Sequence, residues 1–158
     1  MWAAYQEVNY KFFQETEKHL RDGDMVWVHD YQLMLLPALI RAKFPNISIG
    51  FFLHIPFPSY EVFRILPWRK EILNGILGSD QIGFHTFGYM RHFLSAAYRL
   101  VGHEHKFGRL FIEDREVNVD VFPMGCPLST SDAADDPHCA TPGGPRCIQN
   151  SNHIHTPI

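Results

Sequence analysis

What the chain lacks narrows its class before any motif is read. No run of about 18 apolar residues could span a bilayer, and the opening Met-Trp-Ala-Ala-Tyr-Gln-Glu lacks the charged-then-apolar layout of a secretory signal. A cytoplasmic protein with no membrane partner is expected. There is no surplus of cations: 14 Lys and Arg stand against 17 Asp and Glu, a net charge of −3. The clustered basic footprint of a nucleic-acid binder is missing, so nucleic acid is not expected as a partner. Cysteine is missing until Cys126, and only Cys139 and Cys147 follow. An odd count without a secretory signal argues against a disulfide framework. His138, His153 and His155 lie near these cysteines, but no CxxC pair or regular ligand spacing accompanies them, and no metal is expected. No internal repeat is present.

What is present is an ordinary globular composition enriched in Phe. Of the 158 residues, 46% are hydrophobic, 14% aromatic and 20% charged, enough for one core in one domain. Residues 2–20 place Trp2, Tyr5, Val8, Phe12 and Phe13 at helical spacing, which predicts an amphipathic helix ending near Asp22-Gly23. The run MVWVH (25–29) has no polar face and reads as a strand buried on both sides. A helix is predicted over 32–44, with Pro37 bending it or lying in its first turns. ISIGFFL (47–53) reads as a second buried strand, bounded by Pro45-Asn46 and by Pro56 and Pro58. Short helices at 61–66 and 68–77 are split by Pro67. A third strand at 81–84 leads into a helix over 89–100.

Strands alternating with helices call for parallel pairing through right-handed crossovers, hence an α/β, doubly wound, Rossmann-like sheet with helices on both faces. After Gly102, residues 109–112 and 117–122 read as two strands joined by the charged turn Glu113-Asp114-Arg115-Glu116. From Cys126 the chain is rich in Pro, Ser, Asp and Gly without either period, which predicts a disordered tail over 126–158.

In such folds ligands bind beyond the carboxyl ends of the strands. The first predicted strand ends in His29-Asp30-Tyr31, the second in His54-Ile55-Pro56 and the third in His85-Thr86, so a carboxylate and imidazoles could line one rim and hold sugar hydroxyls. Each residue also has a plainer reading. Asp30 could cap the following helix. His29 reads as a structural histidine bonded to backbone within the core. His54 precedes a proline-stiffened loop rather than a helix, which favours a ligand contact. His85 is left open between the two. Trp2, Trp27 and Trp68 read as packing residues.

Several blocks together resemble a known family. VWVHDYQLMLLP (26–37), IGFFLHIPFPSYEVFRILPWR (49–69) and GSDQIGFHTFGYMRHFLSAAYRLVG (78–102) are similar to signature blocks of the trehalose-6-phosphate synthases, glycosyltransferase family 20. WAAYQEVNYKFF (2–13) and VNVDVFPMG (117–125) resemble flanking blocks in the same order. Ordered agreement over 2–125 is far more specific than a lone motif. The resemblance implies the incomplete N-terminal, acceptor-side domain of a two-domain GT-B enzyme. That enzyme transfers glucose from UDP-glucose to glucose 6-phosphate with retention and without a metal. By position in the motifs it implies that Asp30 contacts the acceptor sugar and His54 the transferred glucose. Trp2 and Ile55 match positions linked to selection of the acceptor α-anomer, which moves Trp2 from packing residue to wall of the acceptor pocket. The intact protein would be a homo-oligomer or part of a trehalose synthase complex.

The departures are as informative as the matches. Gln32 stands where the family usually has His; it can donate and accept hydrogen bonds but carries no charge. The glycine-rich loop with its arginine, the tyrosine of the acceptor phosphate site and the C-terminal domain with the Arg and Lys that hold UDP have no counterpart in these residues. The chain by itself is therefore expected to be inactive. A glucosylglycerol-phosphate synthase and a non-catalytic regulatory subunit are the alternative readings.

Overall fold

The computed structural model of the chain describes residues 1–112 and 115–123. The predicted tail, its cysteines and part of the charged turn lie outside these residues. The chain opens with helix α1 (Trp2–Thr16), followed by strand β1 (Met25–His29), a 3-10 turn (Tyr31–Leu33) and helix α2 (Leu36–Lys43). Strand β2 (Ser48–Phe52), helices α3 (Tyr60–Phe63) and α4 (Arg69–Ile76), strand β3 (Gln81–Phe84) and helix α5 (Phe87–Val101) come next. Strands β4 (His105–Lys106), β5 (Arg109–Ile112) and β6 (Arg115–Val121) complete the described elements.

All six strands form one sheet in the order β1-β2-β3-β6-β5-β4. The first four in that order are parallel, and β5 and β4 add on antiparallel beyond β6. The predicted late hairpin is β5–β6; the short β4 carries no periodic signal and was not foreseen. Because β1, β2, β3 and β6 follow one another in a single direction, right-handed crossovers place their connecting helices on the same face. Burial agrees with this geometry. The registered rows Val26-Ile49, Val28-Phe51-Ile82-Val119 and Phe84-Val121 point to the helices, and Val28, Ile49, Phe51, Ile82, Phe84 and Val119 are buried there with Ile40, Leu73 and Phe93. Each such side chain contributes roughly 1.5–3 kcal/mol by leaving water. The opposite rows, Trp27-Gly50-Gln81 and His29-Phe52-Gly83, have no helix over them among the described residues. The described part thus supplies one of the two helical layers expected around the sheet.

This asymmetry is clearest at β1. Among the described residues it lies at the sheet edge, and Met25 and Trp27 are 79% and 63% exposed, so MVWVH is buried there on one face. The run is apolar on both sides, and its exposed side belongs to the face over which no helix lies among the described residues. Among the described residues Trp27 is thus outside the core, while Trp2 and Trp68 are half-buried.

Helix α1 also turns a different face inward. Its buried residues are Asn9 and Phe13, with Trp2 and Tyr5 half-buried, whereas Val8 and Phe12 are exposed. Asn9 is fully buried and fully used: its amide donates to the Tyr5 and Gln32 carbonyls at 2.9 and 3.0 Å, and its oxygen accepts from the Leu35 N–H at 3.1 Å. It clamps α1 to the segment that follows β1. The predicted 32–44 helix is broken into the 3-10 turn and α2, and Pro37 sits in the first turn of α2, where its missing N–H costs nothing. Helix α5 starts at Thr86, whose hydroxyl accepts from the Tyr89 N–H at 3.3 Å.

Candidate active site

The parallel strands β1, β2 and β3 end side by side, and their register sets His29 beside Phe52 and Phe52 beside Gly83. The residues that follow each strand therefore gather on one rim. Asp30 does not cap the 3-10 turn: its side chain makes no capping bond there. Its Oδ1 instead accepts the backbone N–H of His54 at 3.3 Å, across the gap between two strand ends. Its own N–H donates to the Phe52 carbonyl at 2.8 Å. The backbone of Asp30 has φ 68° and ψ 175°, a region populated almost only by glycine. Holding a side chain there costs of order 1–3 kcal/mol, and residues in such conformations cluster where geometry serves a ligand.

His54 is flanked on both sides. Its Nε2 lies 3.0 Å from Nδ1 of His29, the two rings meeting edge to edge with their planes 21° apart and their centroids separated by 5.3 Å. The His85 ring centroid is 5.6 Å away on the other side. His29 is thus an exposed rim residue rather than a core histidine bonded to backbone. Beneath the row, the buried Phe52 ring meets His54 at 4.7 Å and His85 edge-on at 5.0 Å. Phe52 can lie there because residue 83 is glycine: a Cβ at that position would come within 2.5 Å of the Phe52 ring and 3.0 Å of Phe122.

Of the residues singled out from sequence, Asp30 and His54 meet directly, and His85 joins them. Ile55 follows His54 on the same loop and is partly exposed. Trp2 stands on α1, stacked almost parallel on Trp68 with centroids 4.9 Å apart and against Tyr5 at 5.2 Å. Tyr5 links this aromatic stack to the rim: its hydroxyl donates to the Tyr31 carbonyl at 2.7 Å and accepts the Met34 N–H at 3.1 Å. Burial holds the Tyr5 phenol above its ordinary pKa, opposed by its bonds to Met34 and Asn9. Sequence reasoning missed His29 as a neighbour of His54 and Trp68 as the partner of Trp2. The only available signal for His29 was its place one residue before Asp30 at a strand end.

The rim offers a carboxylate and imidazole nitrogens in one row on an aromatic floor, a set suited to hydroxyl groups of a sugar. Among the described residues no group of three or more His, Cys, Asp or Glu is placed to hold a metal ion, and no helix is long and apolar enough to cross a membrane. Two larger hollows lie elsewhere. One of about 630 Å³ sits between α1, α2 and α4, and one of about 620 Å³ lies between α5 and the β4–β5 turn. Neither contains the rim residues, and the convergence of polar groups rather than hollow size marks the site.

The family model for glycosyltransferase family 20 matches residues 1–134 of the chain. The chain belongs to glycosyltransferase family 20. The match runs past Gly125, where the resemblance of the blocks stops, and so includes residues 126–134. The UDP-forming alpha,alpha-trehalose-phosphate synthase of Pichia angusta is 52% identical over 129 residues, covering 78% of this chain and 27% of its own length. Among solved structures, the N-terminal domain of the trehalose-6-phosphate phosphatase of Candida albicans superimposes with a TM-score of 0.77 at 41% identity, covering 78% of this chain and 26% of that one. A Burkholderia xenovorans UDP-forming alpha,alpha-trehalose-phosphate synthase in complex with glucose-6-phosphate gives 0.72 at 30% identity, covering 78% and 28%. The chain spans about a quarter of the length of the relatives it matches.

Proposed function

We propose that this chain forms part of the acceptor-side domain of a retaining glycosyltransferase that makes trehalose 6-phosphate from UDP-glucose and glucose 6-phosphate, in the cytoplasm and without a metal. The observation that carries the reading is the contact between Asp30 and His54. One carboxylate oxygen of Asp30 is tied to the His54 backbone N–H, and the other has no partner among the described residues. That free oxygen can accept a hydroxyl of the acceptor sugar, while the His54 ring stands beside it for the glucose being transferred. Acceptor oxygen and donor carbon would then be brought together by two adjacent residues of one rim, which serves transfer by orientation. The half-buried Trp2–Trp68 stack and the partly exposed Ile55 supply apolar walls that could choose between acceptor anomers. Support also comes from the relatives, one named for UDP formation and one solved with glucose-6-phosphate.

The test uses a full-length family enzyme carrying this segment. Asp30→Ala is expected to lower kcat/KM for glucose 6-phosphate by about one to two decades, as loss of a charge-assisted hydrogen bond worth roughly 1.5–3 kcal/mol requires, with UDP-glucose binding little changed. His54→Ala is expected to lower kcat at saturation of both substrates, because its partner is the sugar that gains charge in the transition state. Unchanged acceptor kinetics in the first variant, or a raised donor KM with intact kcat in the second, would overturn the corresponding assignment.

A further inference from the structure

We propose that His29 is the positioning residue of His54: it holds the ring through the Nδ1···Nε2 hydrogen bond, so that His54 meets the sugar with its Nδ1 edge. The inference rests on the role of His54 proposed above and adds a residue to it.

A neutral imidazole has one N–H donor and one bare acceptor nitrogen, and the partner of one nitrogen decides the state of the other. Two rings joined nitrogen to nitrogen must therefore hold one hydrogen between them. With Nε2 of His54 engaged by His29 at 3.0 Å, its Nδ1 is the nitrogen left without a partner among the described residues. A free imidazole at this site would exchange tautomers and rotate; the shared hydrogen holds the ring plane and couples the tautomer of His54 to that of His29.

His29 is itself braced for this task. Trp27, two residues back on the same face of β1, stacks on it with centroids 5.3 Å apart and planes 19° from parallel. On the far side of His54, His85 closes the row, and Phe52 lies beneath both rings. The titratable groups around the pair are Asp30 on β1's end and His85 on β3's end. Asp30 is committed to the His54 backbone rather than to its ring, which leaves His29 as the group that sets the ring.

The first measurement is made on the chain itself with 15N-labelled histidine. A scalar coupling across the hydrogen bond between a His29 and a His54 nitrogen is expected, together with a single dominant His54 tautomer. In His29→Ala the His54 nitrogen shifts should move toward the average of exchanging tautomers. The second measurement uses a full-length family enzyme carrying this segment. His29→Ala should lower kcat by about tenfold, as misorientation of a group at the reacting centre does, while both KM values stay within about twofold. His29→Asn, whose amide can occupy the Nδ1 position, should restore most of the lost turnover.

His54 shifts that are the same with and without His29 would overturn the hydrogen bond. Full turnover in His29→Ala, alongside impaired turnover in His54→Ala, would overturn the positioning role and leave the function of His54 standing. Full turnover in His54→Ala would instead strike the reading of His54, and the nitrogen coupling would then judge the pair alone.

Discussion

The two ends of the sheet spend their polar groups in opposite ways. At the amino ends of the strands, Asp80 accepts from Arg41 and from the Ile49 N–H, and Arg115 reaches the same carboxylate. Arg41 also donates to the carbonyls of Gly78, Pro45 and Ile47, and Arg115 to those of Leu77 and Ser79. Two guanidinium groups there close the loops around β2, β3 and β6 and bind the fold to itself. At the carboxyl ends, Asp30 holds a costly backbone conformation to make a single 3.3 Å side-chain bond, and His54 keeps one ring nitrogen unused. Apart from the buried Ser79 hydroxyl, which has no partner among the described residues, the polar groups named at the amino end are bonded within the fold, whereas the carboxyl end keeps the spare valence that the proposed ligand site requires.

This contrast can be broken from either end. The largest effect is expected at Gly78, where α4 runs into β3 against the start of α2. A Cβ there would stand 2.4 Å from the Ala38 nitrogen and 2.6 Å from the Pro37 carbonyl carbon, both backbone atoms that cannot swing aside. Gly78→Ala should destabilise the chain by about 3 kcal/mol, the upper part of the range for overpacking, seen as a lower midpoint in urea unfolding. Asp80→Ala should cost less, about 2 kcal/mol. It leaves the Ile49 N–H and the largely buried Arg41 short of a partner, but the carboxylate is 37% exposed, so water screens the pair and replaces part of it. A neutral outcome at Asp80 in the same unfolding assay would remove the distinction between the two ends.

How far the sequence discloses this arrangement differs by residue. The order of elements and the parallel pairing follow from alternating apolar runs and helical spacing, and β1 to β3 fall within a residue of their predicted spans. Asp30 and His54 are legible because each stands where an apolar run stops. What period and composition cannot convey is register: His29 and His54 are 25 positions apart, and only the pairing of β1 with β2 makes them neighbours. The capping reading of Asp30 failed for a related reason. An Asp between a strand and a helix looks the same whether its side chain turns back to the helix or across to the next strand, and the positive φ that decides the matter leaves no mark in the sequence. Asn9 is a polar residue on the inward stripe of α1, and two of its three partners, Gln32 and Leu35, lie in a segment that the stripe alone does not bring to it.

The measurement that bears most directly on the contrast is the unfolding free energy of Asp30→Gly. Glycine adopts φ 68°, ψ 175° without penalty, so relief of strain should outweigh the one side-chain bond lost and leave the chain more stable by roughly 1 kcal/mol, while a full-length family enzyme with the same change should show the lowered kcat/KM for glucose 6-phosphate expected of Asp30→Ala. A variant less stable than the parent chain would show that Asp30 holds the fold together rather than waiting for a ligand, and would contradict the account.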